Sequence, residues 1–240
     1  MFDPNRSLFG AVVVIATIAA LAIPVSAQAA PRCQGQEATI VGTSGDDVLT
    51  GTRGPDVIVG LAGDDVIVGG AGDDLICAGS GNDIVAGEEG SDTILGQKGN
   101  DDLFANDLQA PGVVPDTEDN FIFGGRGNDL IIGSNGVDVL EGGPGTDLIE
   151  GRKGNDVLRG NAGTDWLDGA EGADALRGGK GADVLVIQGA DDAVAGGGDD
   201  VCGRVTTSAN ATITGCEDIF QEIASDAREI IEQRLEFPGN

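Results

Sequence analysis

Aspartate recurs in this chain at intervals of nine residues. Asp47, Asp56, Asp65, Asp74, Asp83, Asp92 and Asp101 form one series. Asp129, Asp138, Asp147, Asp156, Asp165, Asp174 and Asp183 form a second, which Asp192 and Asp200 continue in degenerate copies. Carboxylates can serve as paired general acids and bases, as solvated surface charge, or as hard oxygen ligands for cations. Histidine is absent, which removes Ser-His-Asp triads, Cys-His pairs and imidazole metal sites. No catalytic residue is assigned. A regular spacing kept over most of the chain favours cation ligands over a solvated face.

The elements that must position these carboxylates follow from the rest of the repeat. Seven nonapeptides run without a gap from Gly42 to Phe104, beginning GTSGDDVLT and GTRGPDVIV. Seven more run from Gly124 to Val186, beginning GGRGNDLII and GSNGVDVLE. Degenerate copies follow, IQGADDAVA from Ile187 and a shortened GGGDDVCG from Gly196. In all fourteen clean repeats position four is Gly, position six is Asp and position eight is aliphatic, from Leu49 to Leu185. Between the blocks lies an insertion, Ala105 to Phe123. Its last nine residues, PDTEDNFIF, keep the register and place Asn120 where Asp is expected.

Each fixed position has a physical reason. Glycine permits the tight turn in the first part of the repeat. The remaining three residues suffice only for a short strand. Side chains alternate along a strand, so position eight faces inward while seven and nine face out. One repeat cannot bury its aliphatic residue alone, but a stack of coils can. Stacking makes two parallel sheets with turns along both edges. The aspartates then form vertical files at a spacing of roughly 4.8 Å. Bare carboxylates that close repel strongly. Calcium accepts six to eight hard oxygen ligands and suits such files, whereas magnesium keeps its waters.

The pattern GGxGxDxUx resembles the RTX nonapeptide family, over residues 42–203 apart from the insertion. The resemblance implies an all-β, right-handed parallel β-roll with two repeats per turn. It implies calcium between turns, held by the position-six Asp residues and by carbonyls of neighbouring turns. Seven repeats then give five sites per block, or roughly ten ions in all. Thr43, Thr52, Leu61, Glu88 and Gln97 depart from Gly at position two, and their sites are expected to bind more weakly or to use different carbonyl geometry. With two repeats per coil, Cys77 and Cys202 lie about seven coils, roughly 34 Å, apart. The feasible disulfides are then Cys33–Cys77 and Cys202–Cys216, each stapling a terminal segment onto an end of the stack.

Residues 1–29 read as a Sec-type signal peptide. Arg6 precedes an apolar run from Leu8 to Val25, Pro24 breaks the helix, and Ala27-Gln28-Ala29 supplies a cleavage site. An uncleaved anchor is the alternative, and no later segment could span a membrane. The expected organisation is signal peptide 1–29, N-terminal cap 30–41, first roll block 42–104, insertion 105–123, second block 124–203 and C-terminal cap 204–240. Ile219, Ile223, Ile230 and Ile231 predict an amphipathic helix within Glu217 to Leu235.

The 41 acidic and 13 basic residues leave a net charge of −28. No basic stripe exists to bind nucleic acid, and so acidic a chain is expected to stay expanded until cations neutralise it. RTX enzymes carry catalytic domains ahead of their repeats, and only residues 30–41 lie between the cleavage site and Gly42. The sequence therefore reads as a secreted calcium-binding structural or interaction module rather than an enzyme. Alternatives are a non-catalytic partner of a separate enzyme or toxin, or an adhesin-like surface protein. A protein or cell-surface partner is left unidentified. Apolar residues at positions seven and nine, such as Val57, Val59, Val66 and Val68, leave a binding face open as an expectation.

Overall fold

The three residues that end each repeat are rich in Val, Ile and Leu, and in the computed structural model each forms a strand. The structure describes residues 30–106, 117–188, 190–198, 200–204, 212–216 and 218–220. Consecutive repeats send strands alternately into two parallel sheets of ten strands each. Within a sheet, neighbours are usually two repeats apart: Ile58 pairs with Ile76, and Ile67 with Val85. One coil therefore consumes two repeats, and no described residue is helical.

The core is one column of position-eight side chains. Ile58, Ile67, Ile76, Val85, Ile94, Leu103, Ile131, Leu140, Ile149, Leu158, Leu167, Leu176 and Leu185 are all buried. Burying one such side chain contributes roughly 1.5–3 kcal/mol. Glycine at position four is required by close approach. Gly63 has φ 116°, and a Cβ there would run into the backbone of Gly45 one coil earlier.

The insertion does not interrupt the stack. Ile94 pairs with Ile122, and Leu103 with Ile131. The separation across the junction grows from 18 to 28 residues, so ten extra residues leave both sheets continuous. Ile122 fills the core position, as the register of PDTEDNFIF predicts. Near the C-terminal end the separation falls to 17, where Leu176 pairs with Ala193 and Leu185 with Cys202.

Both disulfides have the predicted partners, with Cα–Cα distances of 5.7 Å and 5.8 Å. Their positions differ. Cys33 lies in a two-stranded hairpin, Arg32–Cys33 with Gln36–Glu37. That hairpin covers the outer face of the sheet that holds Val57–Val59 and Leu75–Ser80, not its end. Cys33 packs with Val59, Leu75 and Cys77, and Ala38, Val57 and Leu95 adjoin them. The reason is chemical: Cys77 stands at outward position nine, so its partner must come to the face. Val59, expected outside, is consequently buried. Cys202 instead occupies a core position, and Cys216 packs against that core.

Two further expectations change. Phe104, Leu130, Ile132 and Leu148 stand at outward positions yet form a buried cluster, with Ile84 and Trp166 against it. Asp218–Phe220, inside the predicted C-terminal helix, is a strand paired with Val201–Arg204. Pairing with an open sheet edge overrides the helical spacing of its isoleucines. The rest of that helix lies outside the described residues, as do the signal peptide and positions 107–116 of the insertion.

Leu140 is fully buried while Val48 is 79% exposed. Leu140→Ala is expected to lower the unfolding free energy by about 2–5 kcal/mol. Val48→Ala is expected to change it by less than about 0.5 kcal/mol. Denaturant titration of the calcium-loaded protein checks both; equal losses would contradict a core built on position eight.

Candidate metal centre

Turns that alternate between two edges sort the aspartates into two files. One edge carries Asp47, Asp65, Asp83, Asp101, Asp129, Asp147, Asp165, Asp183 and Asp200. The other carries Asp56, Asp74, Asp92, Asn120, Asp138, Asp156, Asp174 and Asp191. The backbone links each file. The N–H of Asp65 donates to Oδ1 of Asp83 at 2.9 Å, that of Asp74 to Asp92 at 2.8 Å, and that of Asp183 to Asp200 at 2.9 Å. Asn120 keeps the chain of bonds: Asp92 N–H donates to its Oδ1 at 2.9 Å, and its own N–H donates to Asp138 at 2.7 Å.

Asp192, expected in the file, is replaced there by Asp191. The N–H of Asp174 donates to Asp191 Oδ1 at 3.1 Å, while Asp192 begins a strand opposite Ala175 and is exposed. The repeat from Ile187 is one residue shorter in its turn, so counting nine overshoots by one. A further file at position five also escaped the sequence reading. Asp64 N–H donates to Asp46 Oδ1, and Asn100 N–H to Asn82 Oδ1, each at 2.9 Å.

The second carboxylate oxygen divides the turns. In Asp65, Asp74, Asp83, Asp101, Asp147, Asp156, Asp165, Asp174, Asp183 and Asp200, Oδ2 is buried with no hydrogen-bond partner. In Asp47, Asp56, Asp138 and Asp191 it accepts the backbone N–H of Thr43, Thr52, Ser134 and Gln188, at 2.5, 2.7, 2.6 and 2.6 Å. A buried, unpaired carboxylate oxygen is costly unless a positive group meets it.

The surroundings of that oxygen supply further oxygens. A Cβ added to Gly69 would lie 2.5 Å from Asp74 Oδ2 and 2.6 Å from the carbonyl oxygen of Gly87, one coil on. The same pairing recurs at Gly96, between Asp101 Oδ2 and the Gly124 carbonyl, and at Gly160, between Asp165 Oδ2 and the Gly178 carbonyl. Position-one glycine thus keeps open a cradle on which carboxylate and carbonyl oxygens converge. Among the described residues no three acidic, His or Cys side chains cluster as a metal site. Each of these cradles instead sets one carboxylate oxygen beside a backbone carbonyl oxygen. An all-oxygen set built partly from carbonyls fits a hard cation, and calcium best.

Burial makes these carboxylates hard to ionise without a cation. It raises Asp83 and Asp165 to about 6, Asp101, Asp147 and Asp174 to about 7, and Asp156 to about 8, against the amide hydrogen bonds that lower them. Neighbouring carboxylates add to the rise, as Asp129 and Asp165 do for Asp147. Asp56 goes the other way. Burial raises it, but the N–H and hydroxyl of Thr52 and the Thr39 hydroxyl outweigh that and hold it below its usual value.

Fold and site together define a parallel β-roll whose edges are lined with buried aspartate. The RTX calcium-binding nonapeptide repeat matches the chain in four copies, at residues 41–76, 78–107, 116–149 and 150–185. These cover more than half of the 240 residues, and the chain belongs to that family of calcium-binding repeat proteins. No curated protein matches it.

A carboxyl whose folded pKa is raised stabilises the fold below its unfolded value near 3.9, and that stability is lost as pH rises through the folded value. In chelator, the protein is expected to gain β-structure as pH falls from about 8 toward about 5. Circular dichroism checks this. Loss of structure on mild acidification would contradict the buried, unneutralised files.

Proposed function

We propose that the protein is a secreted, non-catalytic module whose position-six aspartates hold calcium and whose roll forms on binding it. The observation that carries this reading is the buried Oδ2 atom that faces a backbone carbonyl with no donor between them. Asp65, Asp74, Asp83, Asp101, Asp147, Asp156, Asp165, Asp174, Asp183 and Asp200 are the ligands with the clearest geometry. Asp92 and Asp129 stand in the same files and are assigned with them. Calcium, when bound, supplies the positive charge that these oxygens lack. The chain's own part is to fix each carboxylate by an amide bond to Oδ1 and to offer the carbonyls of the adjoining coil.

Roughly ten ions at two charges each would offset about 20 of the 28 negative charges. The unfolded chain would have no preformed site, so binding energy becomes folding energy. Two disulfides suit an oxidising compartment, and the apolar run before Ala29 suits export. On this reading residues 1–29 direct export, and the roll blocks at 42–104 and 124–203 form one continuous calcium-loaded stack.

Calorimetric titration of the purified protein tests the reading. Calcium is expected to bind in the range of about 0.1–1 mM, with no comparable heat from magnesium at the same concentration. Asp147→Asn combined with Asp165→Asn is expected to weaken or remove part of the calcium signal. Equal heats from the two metals, or none from calcium, would overturn it.

A further inference from the structure

We infer that position two of the repeat, rather than position six, decides which turns take calcium, and that the turns of Thr43, Thr52, Ser134 and Gln188 close without it. The inference rests on the calcium reading above and assigns its sites more finely.

The observation is a correlation between backbone and carboxylate. Position two has positive φ at Leu61, Gln97, Arg152, Asn161 and Ala170, between 61° and 84°, and at glycines such as Gly70 and Gly143. Four residues on from each, the Asp Oδ2 is buried and meets no donor. Thr43, Thr52, Ser134 and Gln188 are not among the positive-φ residues. At these four, the position-two N–H donates to Oδ2 of the turn's own aspartate. A left-handed residue turns its N–H away and leaves the oxygen to a cation. A residue of ordinary φ aims its N–H at the lone pair that a cation would use. The amide hydrogen and the metal carry charge of the same sign, so one excludes the other.

The residue types explain the choice. Thr is branched at Cβ and resists positive φ. Its hydroxyl, like that of Ser, favours a local turn. Thr43, Thr52 and Ser134 make the same one: each hydroxyl oxygen accepts the N–H of the position-four glycine, at 3.2, 3.2 and 3.0 Å. Thr43 and Ser134 also donate their hydroxyls to the carboxylate, at 3.0 and 3.1 Å. Gln188 reaches Asp191 because that turn is one residue shorter. Departure from glycine is therefore not what matters, since Leu61 and Gln97 keep the open geometry.

The closed turns fall where the stack begins, at the junction that follows the insertion and where the stack nears its end. At that junction a second side chain takes part. Asn120 Nδ2 donates to the Glu118 carbonyl at 3.1 Å and to Ser134 Oγ at 3.3 Å, the same hydroxyl that bonds the Asp138 carboxylate. The file of Asp65 and Asp147 is closed at its first turn, that of Asp47, while the file of Asp74 and Asp156 is closed at Asp56, Asp138 and Asp191.

Native mass spectrometry of the full chain in calcium counts the bound ions. Leu61→Thr should close the Asp65 turn and lose about one ion per chain, and Thr52→Gly should open the Asp56 turn and gain about one. Asn161→Thr, which should close the Asp165 turn, replaces Leu61→Thr if that variant does not fold. Counts that move in opposite directions support the inference. Unchanged counts on a calcium-loaded wild type overturn it and leave the calcium reading intact. A wild type that carries no calcium overturns that reading, and this inference with it.

Discussion

A buried carboxylate stacked above another buried carboxylate is the constraint on which this fold depends. Two parallel sheets set the aspartates one coil apart, and the aliphatic column between the sheets fixes that spacing. The backbone relieves half of the problem, because the N–H of each aspartate donates to Oδ1 of the next. The other oxygen is buried and meets no hydrogen-bond donor in most turns. A chain with net charge −28 cannot leave such groups ionised and unmet. On the proposed reading hard cations, or protons at lower pH, complete the roll, and folding is linked to both.

The glycines and the core follow from the same constraint. Glycine at position one leaves room beside the carboxylate, and glycine at position four lets successive turns touch. Position eight then has nowhere to go but inward, so a single aliphatic residue per repeat builds the core. The two disulfides act on different parts of this arrangement. Cys33 fastens a hairpin over an outer face, whereas Cys202 and Cys216 close the interior near the C-terminal end.

Much of this is legible in the sequence because the repeat encodes its own geometry. Positions four, six and eight have one physical task each, and one residue type performs it. The register is legible through the insertion because PDTEDNFIF repeats the strand pattern and Ile122 lands in the core. It fails at Asp192, where one turn residue is missing and the file takes Asp191. The position of the Cys33 hairpin is not legible, because the pairing says which sulfurs meet and not from which side. The strand at Asp218–Phe220 is hidden because helical spacing cannot report an open sheet edge. Position two is the instructive case. Thr43 and Leu61 both depart from glycine, yet only the first bends its N–H onto the aspartate. The distinction lies in backbone angle and hydroxyl chemistry, which a count of glycines does not register.

Hydrogen exchange of the position-six amides, with calcium and then with excess chelator at neutral pH, tests the central claim most directly. The account predicts that amides such as those of Asp65, Asp83 and Asp147, each bonded to the next carboxylate, are strongly protected with calcium. It predicts that they exchange quickly once the metal is withdrawn and regain protection when it returns. Equal protection with and without calcium would mean that the stack holds its buried carboxylates unaided, and the account would be wrong.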